Sequence, residues 1–121
     1  MKETDFAQYL TQFLSVYLPC QVGSKRNTQI AYRDSFSLFL RYCRDQENLL
    51  PEKLTVAKIN RDLILRFLQW LEEERNCKAA TRNQRLAAIH SFFSFLMVEE
   101  PQYIQQSQKI LAIPMKKRIN R

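Results

Sequence analysis

Residues 78–97 read KAATRNQRLAAIHSFFSFLM, and their pattern decides the fold. At 3.6 residues per turn, Leu86, Ile89, Phe93, Leu96 and Met97 fall on one stripe, which Phe92 and Phe95 widen. An apolar face that broad needs neighbours on two sides. Traced toward its start, the same stripe meets Lys78 and Arg82, with Arg85 at its edge, and the whole stretch holds no acidic residue. The basic turns are therefore expected to protrude beyond the core. Thr81 followed by Gln84 has the spacing of a capping box, although the helix can equally begin at the alanines before it. Either start gathers cationic side chains and free backbone N–H groups at one end, a favourable place for an anion.

The 121 residues suffice for one domain that buries about two thirds of its unfolded surface. A single glycine, Gly23, leaves little material for hairpin turns or a phosphate-cradling loop, so an all-α fold is the economical reading. Nineteen Lys and Arg oppose twelve Asp and Glu, a net charge of +7 whose excess lies in residues 25–60, 78–98 and 99–121. A polyanionic partner follows, nucleic acid ahead of a membrane surface, and the bland alternative is a basic, well-solvated surface. Cys20, Cys43 and Cys77 are odd in number, show no CxxC spacing and follow no secretion signal, which suits reduced thiols in a soluble, cytoplasmic protein. No disulfide, metal site or cofactor is expected, and no apolar run approaches bilayer length.

Taken in order, Asp5 can cap a first helix carrying Phe6, Leu10, Phe13, Leu14 and Tyr17, which Pro19 stops. Ser24 is a good N-cap for a second, whose stripe is Tyr32, Phe36, Phe39, Leu40 and Cys43 and whose first turn is again basic. Pro51 and Thr55 break residues 49–59 into a loop that tucks Leu54, Val56 and Ile59 inward. Asn60 caps a third helix with Leu63, Ile64, Phe67, Leu68, Trp70 and Leu71 apolar; its acidic end, Glu72 to Glu74, should face solvent or a basic neighbour. After the fourth helix, Pro101 is placed to open a short fifth, and residues 113–121 read as a basic tail or linker.

The strings SKRNTQIAYRDSFSLFLRYC, INRDLILRFLQWL and KAATRNQRLAAIHSFFSFLM, in that order, resemble the N-terminal core-binding domain of tyrosine recombinases, the phage integrase and Xer group. Ser24, Thr28, Tyr32 and Phe39, and Thr81, Arg82, Leu86, Phe92 and Phe93, carry most of the likeness. The resemblance implies an orthogonal, SAM-like bundle of four main helices plus a short fifth, over residues 1–112, forming half of a clamp around double-stranded DNA. It places Lys25, Arg26, Thr28, Gln29 and Arg33 of the second helix, and Lys78, Thr81, Arg82 and Arg85 of the fourth, at the DNA. Residues 113–121 become the linker toward an absent catalytic domain, with Lys116, Lys117 and Arg118 near the backbone. The family's nucleophilic tyrosine and its arginine and histidine partners belong to that domain, so no catalysis is expected of this chain. The implied partners are DNA, the catalytic domain of the same parent protein and other protomers assembled on DNA. Where the family has an Asn-Pro pair after its fourth helix, this chain has Glu99, Glu100 and Pro101.

His90, on the edge of the central stripe, is better read as structural than as a ligand or base. Lys25, Arg26, Lys78, Arg82 and Arg85 suit phosphate contact, and replacing Arg82 and Arg85 with alanine is expected to leave thermal stability nearly unchanged. Thr28, Gln29, Thr81, Asn83 and Gln84 are of a length to meet base edges. The reading that follows is a DNA-binding module of a recombinase. Two alternatives stand beside it: a protein-interaction or dimerisation module docking through Phe92 and Phe95, and a stand-alone DNA-binding accessory protein of a mobile element.

Overall fold

A computed structural model describes residues 2–21 and 23–117. Five α-helices account for most of the described chain, which contains no β-strand: α1 Asp5–Gln12, α2 Arg26–Gln46, α3 Arg61–Glu74, α4 Ala79–Glu99 and α5 Ile104–Leu111. The chain divides into two compact units, Met1–Ile59 and Asn60–Arg121. No helix among the described residues is long and apolar enough to cross a membrane.

In the first unit, Thr4 rather than Asp5 caps α1, its side chain accepting from the Ala7 N–H at 3.1 Å. Asp5 sits one position further in and does a longer-range job. Its Oδ1 accepts from the Val56 N–H at 2.9 Å, tying the start of α1 to the 3₁₀ turn Val56–Lys58. Pro19 does not stop the helix at Leu18; the chain continues from α1 as a π-wound segment, Phe13–Gln21, with the proline inside it. The reason is geometric. In an α-helix Pro19 would lack its N–H bond and press on the carbonyl four residues back, whereas the wider π turn relieves that crowding. Phe13, fully buried, anchors an aromatic cluster: Tyr17 at 5.7 Å, Tyr32 at 6.2 Å and Phe36 edge-on at 6.3 Å between ring centroids. Such pairs add to simple area burial. Leu54 lies buried between two 3₁₀ turns, Val56 opens the second and Ile59 follows it, all three buried as the broken pattern of residues 49–59 required.

In the second unit, Asn60 caps α3 by accepting from the Leu63 N–H at 2.9 Å. Helix α4 packs against α3, α5 and the 3₁₀ turn Pro101–Tyr103 that leads into α5. Coverage from several elements explains why its second half is apolar around most of its circumference. Leu86, Ile89, Phe93 and Leu96 are buried, and so are Phe92 and Phe95 at 0% and 2% exposure, which leaves neither ring on a docking face. Phe92 meets Phe93 edge-on at 5.2 Å and Phe95 at 6.2 Å.

Three element ends are closed in one way. Gly23, Asn48 and Asn76 adopt φ of +68°, +56° and +51°. The next amide then reaches back six residues: Ser24 to Leu18 O at 3.0 Å, Leu49 to Cys43 O at 2.9 Å and Cys77 to Leu71 O at 3.0 Å. The left-handed region costs an ordinary side chain about 1–2 kcal/mol and is visited most readily by glycine and then asparagine. With one glycine available, the chain uses Asn for the other two.

Candidate nucleic-acid interface

The starts of α1 to α4 fall into two kinds. Helices α1 and α3 open on polar caps, Thr4 and Asn60, and carry an acid in the first turn, Asp5 and Asp62. Helices α2 and α4, one in each unit and 21 residues each, open on lysines, Lys25 and Lys78, with no side-chain cap and no acid in the first turn. The α2 and α4 starts thus keep their first-turn N–H groups uncapped and surround them with positive charge, the condition under which a helix start attracts an anion. Ser24 is displaced from the expected cap position by one residue. Its hydroxyl donates to Leu18 O at 2.9 Å, closing the preceding segment instead. Helix α4 starts at Ala79, the earlier of the two starts, which puts Thr81 inside its first turn.

On the first unit, Lys25, Arg26, Thr28 and Arg33 are exposed, and Arg26, Gln29, Ile30 and Arg33 line a shallow depression. Gln29 is half-buried because its Nε2 donates back to Ser24 O at 2.9 Å. On the second unit, Lys78 and Gln84 are exposed and Thr81 and Arg85 half-buried; Ala80, Thr81, Asn83, Gln84, Ala87 and Met115 line a recess along α4.

Arg82 does not protrude as its place on the helix suggested. Its side chain is 12% exposed, with Nη1 donating to Pro114 O and to Asn83 Oδ1, each at 3.1 Å, and Nε lying 3.6 Å from Glu72 Oε1. Asn83 faces the backbone of residue 116: its Nδ2 donates to Lys116 O at 2.8 Å and its Oδ1 accepts from the Lys116 N–H at 2.8 Å. Lys116 Nζ completes the arrangement with a 2.8 Å contact to Glu72 Oε1. Residues 113–117 are thereby laid along the start of α4, with Ile113 buried at 1% exposure and Lys116 and Lys117 exposed. Arg82 thus holds this segment in place, a contact its position in the sequence did not suggest. The carboxylate at the α3 end meets basic neighbours, as its place on the helix dipole required. Arg118 lies outside the described residues.

Sequence reasoning missed the Glu72, Asn83 and Pro114 contacts. The only signal was an acidic helix end in the same chain as a basic tail, which does not specify a pairing. His90 is half-buried, and because Ile110 O can only accept, the Nε2 at 3.1 Å carries the proton. Burial pushes the His90 pKa down from 6.5, the carbonyl contact opposes this and the Arg82 charge adds to it. Cys20, Cys43 and Cys77 are free thiols, and no group of three or more His, Cys, Asp or Glu among the described residues could hold a metal ion.

Residues 10–100 match the family described as phage integrase, N-terminal SAM-like domain. The chain belongs to that family. It is 37% identical over 112 residues to a Sinorhizobium fredii protein named integrase/recombinase y4rD, covering 89% of this chain and 40% of that protein. A second protein of that organism, integrase/recombinase y4rC, is 34% identical over 116 residues, or 96% of this chain and 35% of the relative. The tyrosine recombinase XerC of Herpetosiphon aurantiacus is 37% identical over 91 residues, or 74% of this chain and 27% of the relative. The chain therefore spans well under half the length of these relatives. No solved structure matches it. The all-α, SAM-like reading of the sequence agrees with both the helices and the family.

Proposed function

We propose that the chain is the DNA-binding, core-site-clamping domain of a site-specific tyrosine recombinase acting in DNA integration and recombination. The observation that carries this reading is the contrast between helix starts: two long helices open on lysine with uncapped N–H groups, whereas α1 and α3 open on polar caps and acids. Lys25, Arg26, Arg33, Lys78, Arg85, Lys116, Lys117 and Arg118 supply phosphate contacts, with Arg82 joining them at the α4 start. Thr28, Gln29, Thr81 and Gln84 are the candidates for base edges. Residues 1–112 form the binding domain, and residues 113–121 lead toward the catalytic part of the parent protein, where strand breaking and rejoining reside. Other protomers bound to the same DNA are further partners, and the setting is cytoplasmic. The burial of Phe92 and Phe95 removes the surface on which a protein-interaction module would have rested.

Backbone amide NMR of the whole chain titrated with a duplex tests the assignment. Shifts concentrated in residues 25–33, 78–85 and 115–117 are expected. Shifts concentrated instead on the exposed side of α3 would refute it.

A further inference from the structure

Two cations from separate segments converge on one carboxylate oxygen. Lys116 Nζ lies 2.8 Å and Arg82 Nε 3.6 Å from Glu72 Oε1. The site is open to solvent on the lysine side, where the Lys116 and Glu72 side chains are 54% and 30% exposed. Glu72 lies in the last turns of α3, where the helix dipole disfavours negative charge, so these cations are what favours a carboxylate there. The arrangement around them is rigid on one side: Arg82 is fixed by Pro114 O, and the Lys116 backbone is fixed by Asn83. An arginine and a lysine held this way present donors to any singly charged oxyanion, and a phosphodiester offers the same charge with two non-bridging oxygens.

We propose that Arg82 and Lys116 form a backbone-phosphate subsite that Glu72 occupies in the free chain, so that Glu72 is a built-in competitor which DNA displaces. This rests on the DNA-binding reading above. Binding a phosphate here requires the Glu72 contacts to open, which lowers affinity and removes part of the charge gain. Neutralising Glu72 therefore strengthens binding instead of weakening it.

The test is fluorescence anisotropy of a labelled duplex with the full chain and with Glu72→Gln, over a salt series from about 50 mM upward. The variant should bind about two- to fivefold more tightly at the low-salt end, the range set by one partly exposed ion pair. Its log–log salt slope should be steeper than the parent's by up to about one, since the same phosphate contact forms without a displaced negative charge beside it. Lys116→Ala should cost more affinity in the Glu72→Gln background than in the parent chain, a coupling that a merely structural role would not produce. A readout independent of variant folding is the Glu72 side-chain carboxylate resonance in the unaltered chain, which should move to its solvent-exposed position on duplex saturation. Salt-dependent binding by the parent, with Glu72→Gln equal or weaker or the carboxylate resonance unmoved, would overturn the competitor and leave the DNA-binding reading intact. No saturable binding by either protein would overturn both.

Discussion

Replacing Asn83 with alanine should loosen residues 115–117 while leaving the second unit folded. The side chain makes two bonds to the Lys116 backbone, donating to its carbonyl and accepting from its N–H, each at 2.8 Å. A hydrogen bond contributes a net of about 0.5–1.5 kcal/mol, and because Lys116 is exposed, water takes over both backbone groups once the amide is gone. The lower half of that range applies to each bond, giving about 1–2 kcal/mol for the pair. That corresponds to a roughly tenfold change in the local opening equilibrium. The loss is confined to the segment, since Ile113, buried at 1% exposure, still anchors its start and Arg82 still donates to Pro114 O at 3.1 Å. Amide hydrogen exchange followed by NMR reads this directly. The Lys116 amide should exchange about tenfold faster in Asn83→Ala, while the amides of Phe92 and Phe93 in the middle of α4 keep their parent rates. Asn83→Asp, which retains the acceptor and loses the donor, should fall between the two. An unchanged Lys116 rate, or equal acceleration of the Phe92 and Phe93 amides, would refute the reasoning.

Two further outcomes concern the core and pH. Phe93→Ala, which empties a site of 1% exposure beside Phe92, should cost about 3–5 kcal/mol in urea unfolding, and a cost below about 1 kcal/mol would contradict the packing described. His90 has a folded pKa below its ordinary 6.5, so the unfolded chain binds the proton more readily. Its contribution to stability is therefore present above pH 6.5 and is lost as pH falls through the interval below that value. Unfolding free energy should decline on acidification from about pH 7 to about pH 5 more steeply in the parent than in His90→Gln. Identical slopes would remove His90 from the account.

The helices were legible because their cores are periodic. The Leu86, Ile89, Phe93 and Leu96 stripe, the Asn60 cap and the inward Leu54, Val56 and Ile59 each depend on residues close in sequence, and all appear where the pattern placed them. What escaped depends on partners distant in the chain or on backbone states that several residues can adopt. The carboxylate of Asp5 was read as a local cap, but its Val56 partner lies 51 residues away. Pro19 was read as a stop because the α-helix rejects it, and only the π winding accommodates it. Asn76 carries no mark in the sequence that it, in place of a glycine, will take the left-handed state. The α4 start was correctly seen as cationic, but Arg82 was expected to protrude toward DNA because its partners Glu72 and Pro114 lie 10 and 32 residues away in sequence. Periodicity locates a side chain on a face and says nothing about which distant group will meet it there.

The central claim is that the lysine-opened starts of α2 and α4 bind nucleic-acid backbone. Its most direct test is the affinity of the unaltered chain for a labelled random-sequence duplex at about 50 mM and about 200 mM salt, where several released counterions weaken binding by orders of magnitude. Saturable binding at the lower salt that falls steeply at the higher is expected. Saturable binding with the same affinity at both, or none at the lower salt, would contradict it.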